Sequence, residues 1–342
     1  MNRYFALLSG ENTKLAFSEI KSIGTLLVNP IQMKQHDRFV YITCTENPVD
    51  LLLNRAALLK QAGIILSNID ITSRPFNIDL TTIEEHIECN QSFAVRAVSL
   101  LNNRKKKLRH DLITEIGALI KKKTGSKVSL NTPDVVFSIF LLDDEIILCK
   151  THDSYLLSDF EARNPGKKPF FHPSMMNAKL SRIMCNLAGI KPEEIVLDPF
   201  CGGAGILSEA ALLGAKCVGI DLNWALLKGA RLNLFHSSCD NFSLLQTDAR
   251  CFPFDEKAFD VIITDPPYGR TSSTRGYDIR FLLDEVFSLL KTSLKDGGRI
   301  CVSGASELGI SQIIEAIGLE ILTRNEIYVH GGLTREIVSA TN

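Results

Sequence analysis

Several features are missing from this 342-residue sequence, and each absence excludes a class of protein. No apolar run approaches the roughly 20 residues that a helix needs to cross a bilayer. The apolar core of the N-terminal segment is too short for a signal peptide. We therefore expect a cytoplasmic protein without a membrane partner. The composition, with 45% hydrophobic and 23% charged residues, is ordinary for a globular chain.

The nine cysteines are scattered along the chain and form no Cys-x-x-Cys pair. An odd number of scattered cysteines predicts reduced, mostly buried thiols rather than disulfides or a zinc site. We therefore expect no metal.

Positive charge is concentrated in one segment, although the formal net charge of the chain is only −1. Ten Lys and Arg residues lie between positions 96 and 127, where Asp111 and Glu115 are the only acids. A charged run is often just a solvated face, but this clustering within one predicted domain favours a polyanionic partner.

From residue 195 onward, strand and helix signals alternate, which predicts a parallel sheet covered by helices on both faces. After the first strand come Gly202, Gly203 and Gly205, which allow a tight turn and a close approach to a ligand. No Gly-Lys-Ser/Thr phosphate loop and no strict Gly-x-Gly-x-x-Gly is present. Asp221 follows the second strand, where nucleotide-binding domains hold ribose hydroxyls.

The most informative stretch is the heptapeptide 264–270, Thr-Asp-Pro-Pro-Tyr-Gly-Arg, which follows the apolar run Val261–Ile263. The run predicts a buried strand, and the two prolines stop both strand and helix. The Asp265 carboxylate and the Pro266 carbonyl can each accept an N–H of an exocyclic amine, while Tyr268 stacks on the ring. With both N–H bonds held, the nitrogen lone pair can point at an electrophile. We interpret these three residues as catalytic.

The N-terminal half carries two small α+β patterns. In the first, up to about residue 75, we expect an amphipathic helix over 47–62 that is capped by Gly63. The second combines a Val-Arg-Ala strand, a basic loop, a helix, the sequence Lys-Val-x-Leu-x-x-Pro-Asp and a closing hairpin. This arrangement resembles the THUMP domain of RNA-modifying enzymes, and the resemblance implies binding to the acceptor end of tRNA.

Acidic residues follow four successive strands in the C-terminal half, and this ordered set resembles the class I S-adenosylmethionine-dependent methyltransferases that act on exocyclic amines. The resemblance implies that the first loop holds the methionine part of S-adenosyl-L-methionine, the second acid the ribose and the third the adenine amine. The implied cofactor-binding residues are Asp198, Phe200, Gly202, Gly203, Gly205, Asp221, Leu222, Asp248, Ala249 and Asp265. The family usually has Gly-Thr-Gly where this chain has Gly203-Ala204-Gly205.

With Pro169–Pro173 and the THUMP-like segment added, nearly the full chain resembles the archaeal tRNA guanine-N2-methyltransferases that modify guanosine 10. The implied fold is a Rossmann-like α/β methyltransferase domain with a mostly parallel seven-stranded sheet, preceded by α+β domains. The implied boundaries are an N-terminal ferredoxin-like domain (1–75), a THUMP RNA-binding domain (76–152), a linker (153–172) and the methyltransferase domain (173–342). The residues expected to bind tRNA are Arg96, Lys105, Lys106, Lys107, Arg109, Lys122, Phe171, His172, Arg270 and Arg275.

The expected product is N2-methylguanosine, and N2,N2-dimethylguanosine where the pocket accepts the first product. The alternatives are another guanosine of tRNA, in the acceptor stem, or one of rRNA. An adenine-N6 DNA methyltransferase also stays open, because its motif is likewise Asp-Pro-Pro-Tyr. A non-enzymatic alternative is an RNA-binding protein with an inactive methyltransferase fold. A small activator subunit is an open question, although we expect the chain to act alone.

Overall fold

The computed structural model describes residues 2–70, 76, 81–100, 106–143, 145–154, 156–251, 254–267, 279–330 and 333–342. The chain divides into two compact units. The first comprises Met1–Thr13, Leu27–Asn54 and Leu59–Ser154, and the second Lys14–Leu26, Arg55–Leu58 and Tyr155–Asn342. In these described ranges, no helix combines the length and the apolar character that a bilayer span requires. Seven of the nine cysteines are buried, in agreement with the predicted buried thiols.

The first unit contains one sheet, to which the described residues contribute eight strands. The strands are β1 (Asn2–Leu8), β2 (Gln32–His36), β3 (Phe39–Cys44), β4 (Leu59–Asn68), β5 (Ser92–Ser99), β6 (Lys127–Val128), β7 (Val135–Leu141) and β8 (Ile146–Asp153). Their order is β2-β3-β1-β4-β8-β7-β5-β6. The predicted boundary near residue 75 falls between β4 and β5, which share this sheet, and the division at that point stays a prediction.

Ten α-helices are formed by the described residues, and an amphipathic pattern explains how they pack. They are α1 (Thr13–Gly24), α2 (Val49–Arg55), α3 (Thr81–Glu84), α4 (Lys106–Thr124), α5 (Leu156–Ala162), α6 (Ala178–Leu187), α7 (Gly205–Ala211), α8 (Trp224–His236), α9 (Ile279–Ser293) and α10 (Ile310–Ala316). In α4, Leu112, Ile116 and Ile120 recur every four residues and pack with Phe93 and Phe137 in the core of the first unit. The lysines of α4 are left on its polar face.

The helix predicted over 47–62 is wrong. The helix there covers only Val49–Arg55, and strand β4 follows it. The backbone N–H groups of Ala57 and Leu58 each donate to the buried Glu19 carboxylate at 2.9 Å. Because these N–H groups have a side-chain acceptor, they are satisfied without a helical ladder.

The second unit contains a sheet of seven strands within the described part of the chain. They are β9 (Ile195–Asp198), β10 (Lys216–Asp221), β11 (Phe242–Gln246), β12 (Phe259–Thr264), β13 (Leu294–Ala305), β14 (Glu320–His330) and β15 (Leu333–Thr341). The order is β11-β10-β9-β12-β13-β15-β14, parallel from β11 to β13, with β15 antiparallel to both of its neighbours. The predicted Rossmann-like, mostly parallel sheet is therefore confirmed.

Two features of this second sheet place its ligand edge. The chain leaves β9 toward β10 on one side and later returns as β12 on the other, so the strand order reverses between β9 and β12. Ligands of such sheets bind at the carboxyl ends of the strands beside this reversal. Behind the edge, α9 buries Leu283, Val286, Phe287 and Leu290, at helical spacing, in the core of the unit.

Candidate active site

Two of the predicted acids lie beside the reversal of strand order, because Asp198 ends β9 and Asp265 follows β12. Asp198 Oδ1 accepts a hydrogen bond from Thr264 Oγ1 at 2.8 Å and another from Phe200 N at 3.1 Å. Asp198 is only 2% exposed, and its burial raises its pKa to about 7, with a further rise from Asp265 and Asp221. The charges of Asp265 and Asp221 thus both act on the Asp198 carboxyl.

The turn after β9 has a backbone shape that favours small residues. Gly202 (φ 50°) and Ala204 (φ 59°) are both in the left-handed region, where residues other than glycine are uncommon. A Cβ atom on Gly203 would lie 2.6 Å from Met175 Sδ. The N–H of Gly202 donates to Asp221 Oδ2 at 3.0 Å, so the glycine turn is tied to the acid of the next strand. The turn therefore presents mainly backbone atoms at this edge of the sheet.

Asp221 ends β10 beside the turn and is partly buried. Burial raises its pKa, although a hydrogen bond from Asn223 N at 2.7 Å and the nearby His172 act in the opposite direction. His172 Nδ1 is itself 2.7 Å from Ser174 Oγ. His172 thus lies near enough to Asp221 for its charge to lower the pKa of that carboxyl, and the exposed side chain of Leu222 is next in sequence.

The segment before His172 is fixed to the glycine turn by Asn233 of α8, which the sequence analysis missed. Asn233 is fully buried. Its Nδ2 donates to Gly203 O at 2.8 Å and to Phe170 O at 3.1 Å, and its Oδ1 accepts from Phe170 N at 3.0 Å. A Cβ on Gly229 would lie 2.2 Å from the Phe170 ring, so α8 also supports that ring. The next side chain, Phe171, is 57% exposed.

Asp248 follows β11 at the same edge. It forms an ion pair with Arg250, whose Nη2 and Nε lie 2.7 and 3.0 Å from its two oxygens. Ala249, also predicted to contact a cofactor, is buried in the hydrophobic core. The four acids thus follow strands that are neighbours in the sheet. The contact roles of these residues stay predictions.

Asp265 is held by a residue that the sequence analysis did not single out. Arg335 Nη1 donates to Asp265 Oδ2 at 2.9 Å and to Ser303 Oγ at 3.2 Å. Pro266 is buried and Pro267 is half-buried. Arg335 is 70 positions away from Asp265 in sequence and belongs to no motif that could have indicated it.

The predicted RNA-binding residues of the first unit lie on or near α4. The described members of this set are Arg96, Lys106, Lys107, Arg109 and Lys122. The three lysines are exposed. Arg109 Nη2 donates to Ala97 O at 2.8 Å, and Arg96 forms an exposed ion pair with Asp153 at 3.5 Å. Four predicted site residues, Lys105, Tyr268, Arg270 and Arg275, lie outside the described residues.

Comparison with known protein families gives two matches. The UPF0020 model, described as the RMKL-like methyltransferase domain, matches residues 165–337. The THUMP domain model matches residues 81–149. The fold and the site therefore define a methyltransferase domain preceded by a THUMP domain.

Individual relatives point the same way. The tRNA (guanine(10)-N2)-dimethyltransferase of Methanothermobacter thermautotrophicus is 37% identical over 263 residues, which cover 76% of this chain and 77% of the relative. A protein of the same name from Methanocaldococcus jannaschii is 26% identical over 360 residues and 97% of each chain. The crystal structure of TrmN from Thermus thermophilus covers 99% of both chains with a TM-score of 0.55 and 18% identity, which supports the fold alone. This chain belongs to the family of THUMP-containing, RMKL-like methyltransferases that includes these archaeal proteins.

Proposed function

We propose that this protein is a tRNA (guanine-N2-)-methyltransferase that uses S-adenosyl-L-methionine. The proposed target is guanosine 10, and the products are N2-methylguanosine followed by N2,N2-dimethylguanosine. The names of the archaeal relatives support the substrate and the second methyl transfer. The observation that carries the chemistry is the position of the Asp265-Pro266 corner, at the reversal of strand order and beside the buried Asp198.

The residues at the sheet edge fit S-adenosyl-L-methionine. Gly202 leaves open space in the turn, because nothing lies within 4 Å of a Cβ placed on it, and Asp221 stands where such sheets hold ribose hydroxyls. Asp248 is assigned to the adenine amine by resemblance to the methyltransferase class. When bound, the cofactor supplies a methyl group on a cationic sulfonium. Asp198, whose pKa burial raises to about 7, is assigned to the cationic methionine part, because a nearby cation favours the ionised carboxylate.

Asp265 and Pro266 are assigned to the target amine. Guanine N2 is paired and stacked in a duplex, so the base must be flipped out, which costs a few kcal/mol. Stacking on Tyr268 offsets part of this cost, about 1–3 kcal/mol. Asp265 and the Pro266 carbonyl each accept one N–H and thereby orient the nitrogen. The target nitrogen would gain positive charge as it is methylated, and the Asp265 carboxylate would stabilise that charge and accept the released proton.

The first unit is assigned to tRNA binding. Lys106, Lys107 and Lys122 present exposed positive charge on one helix, and the THUMP match covers this helix. Contacts of lysines with phosphates position an RNA without reading its sequence. We also propose that the chain acts in the cytoplasm, where tRNA is available and thiols stay reduced, and that it needs no activator subunit.

The decisive experiment incubates the purified full chain with labelled S-adenosyl-L-methionine and an unmodified tRNA transcript, followed by mass analysis of the nucleosides. We expect both methylated guanosines at position 10, and no product from a transcript that carries adenosine there. Asp265→Ala should abolish turnover while tRNA affinity stays nearly intact. Asp296→Ala is the matched control, because it removes an exposed carboxylate of the same unit.

Each alternative predicts a different result in this experiment. Methylation of another guanosine would correct the target, and methylation of adenine in duplex DNA but not of tRNA would replace the substrate class. A chain that shows no binding of S-adenosyl-L-methionine by calorimetry would have an inactive fold. Turnover of Asp265→Ala at the wild-type rate would refute the catalytic assignment.

A further inference from the structure

Arg335 occupies a place next to the proposed catalytic carboxylate that no sequence motif accounts for. It lies on β15, opposite Ala305 of β13 and opposite Ile327 of β14. Its backbone position is therefore fixed by strand pairing on both sides. From there its Nη1 reaches Asp265 Oδ2 at 2.9 Å and Ser303 Oγ, on the fully buried Ser303, at 3.2 Å.

The pair between Arg335 and Asp265 is largely removed from water, since each side chain is only 17% exposed. The distance of 2.9 Å falls in the range of charge-assisted hydrogen bonds, which are stronger than those between neutral groups. Screening by solvent and salt is weaker for such a pair than for a surface ion pair. The contact therefore holds the Asp265 carboxylate in one orientation.

The charges around Asp265 give this contact a specific consequence. The charges of Asp265 and Asp221 both raise the pKa of the Asp198 carboxyl, so the three carboxylates lie near one another. Carboxylates that lie close together favour protonation of one of them. A protonated Asp265 would present an O–H donor to the target amine instead of an acceptor. The guanidinium of Arg335 opposes this protonation and is itself always charged.

We propose that Arg335 is a positioning residue for methyl transfer: it keeps Asp265 ionised and oriented so that this carboxylate accepts an N–H of the target amine. Arg335 acts through Asp265 and needs no contact with the base or the cofactor. This role rests on the proposed function. It adds to that function a residue from the closing hairpin of the sheet, which lies outside every motif.

The test is a double-mutant cycle between Arg335→Met and Asp265→Asn. Met keeps the length of the arginine stem but removes the charge, and the Asn amide oxygen can still accept an N–H without a cationic neighbour. Arg335→Met should lower kcat about 10- to 100-fold, the range that follows from the loss of a hydrogen bond to a charged group. The KM for tRNA and the Kd for the cofactor should change less than about threefold. In the Asp265→Asn background, Arg335→Met should change kcat less than about twofold, because the two residues act as one unit.

Arg299→Met is the matched control, because Arg299, on β13 of the same sheet, forms an ion pair of similar burial with Glu194. It should leave kcat close to the wild-type value. Arg335→Lys keeps the charge without the planar fork and should recover part of the lost kcat. Arg335→Gln, which also removes the charge, replaces Arg335→Met in the cycle if the latter does not fold.

The outcomes separate this role from the proposed function. A wild-type chain that leaves tRNA unmethylated would overturn the proposed function, and this role with it. An active wild type whose Arg335→Met variant keeps more than half of kcat would overturn only the role of Arg335. The same holds if Arg335→Met lowers kcat as strongly in the Asp265→Asn background as in the wild type, or if its effect appears in KM alone.

Discussion

Asp198 should make the stability of the second unit depend on pH, and Asp198→Asn should remove that dependence. The carboxylate is 2% exposed and accepts hydrogen bonds from Thr264 Oγ1 and Phe200 N. The oxygen of an asparagine amide can accept both bonds. The substitution therefore removes the ionisable group while keeping the two contacts that orient it.

The expected size of the effect follows from the pKa. Burial raises the pKa of Asp198 from the ordinary value of 3.8 to about 7. Because the folded-state pKa is the higher one, folding favours the protonated form. The stability that this form contributes is present below pH 3.8 and is lost as the pH rises to about 7. Between pH 5 and pH 8 the linkage relation predicts that the free energy of unfolding of the wild type falls by about 2.5 kcal/mol. The variant should not show this loss, because it lacks the ionisable group.

The assay is urea denaturation of both proteins from pH 5 to pH 8, without cofactor. The only tryptophan of the chain, Trp224, begins α8 in the second unit, so its fluorescence follows the unit that contains Asp198. The pKa of Asp221 is also raised by burial, but this residue is present in both proteins, so the effect of its own burial cancels in the difference. As the pH rises from 5 to 8, the free energy of unfolding of the wild type should fall by about 2.5 kcal/mol relative to that of the variant.

Cofactor binding supplies the second half of the same prediction. If Asp198 meets the cationic part of S-adenosyl-L-methionine, binding near pH 6 should release about one proton from the wild type. It should release almost none from Asp198→Asn, and the affinity of the variant should not depend on pH over this range. Calorimetry in buffers of different ionisation enthalpy measures the proton. Parallel stability profiles for the two proteins would show that Asp198 is already ionised at low pH and refute the reasoning.

Two further predictions concern packing. Asn233→Ala should lower the free energy of unfolding of the second unit by about 2–4 kcal/mol, because it leaves the buried Gly203 carbonyl and the partly buried backbone groups of Phe170 without this partner. It should also weaken cofactor binding in calorimetry. His236→Ala, on the exposed face of the same helix, should do neither. Gly63→Ala should destabilise the sheet of the first unit by about 1–3 kcal/mol, because a Cβ there would lie 1.9 Å from Lys150 O. Hydrogen exchange of the β4 and β8 amides should become faster in this variant. Unchanged protection of these amides would contradict the close approach of the two strands.

The acidic edge of the second sheet could be predicted because its signals are local. A buried apolar strand followed by Asp198, or by Asp265 and two prolines, is visible within a few residues. Parallel strands connected by helices bring such strand ends to a single edge. The shared region of Asp198, Asp221 and Asp265 follows from this rule. The seven-stranded sheet is expected from the resemblance to the methyltransferases, and its strand order comes from the structure.

The residues that hold the site in place could not be predicted, because their contacts depend on pairing between segments that are distant in sequence. Arg335 reaches Asp265 only because β15 returns antiparallel to β13 in one particular register. Asn233 looks like any polar residue in a helix until the turn of Gly203 is placed beside it. Gly63 shows the same limit for the fold, since a glycine after an apolar run reads equally well as a helix cap or as a strand that approaches its neighbour closely.

The charges at this edge of the second sheet come from the acids at the strand ends and from Arg335. Asp198, Asp221 and Asp265 are close enough to affect one ionisation equilibrium, and Arg335 forms an ion pair with Asp265. Asp198 and Asp221 lie beside the glycine turn, where they accept hydrogen bonds from Phe200 N and Gly202 N. Under the proposed function, the methyl donor carries a positive sulfonium and its demethylated product a neutral sulfur. Carboxylates at a low-dielectric edge attract the first more strongly than the second, so the charge pattern favours binding before transfer and release after it.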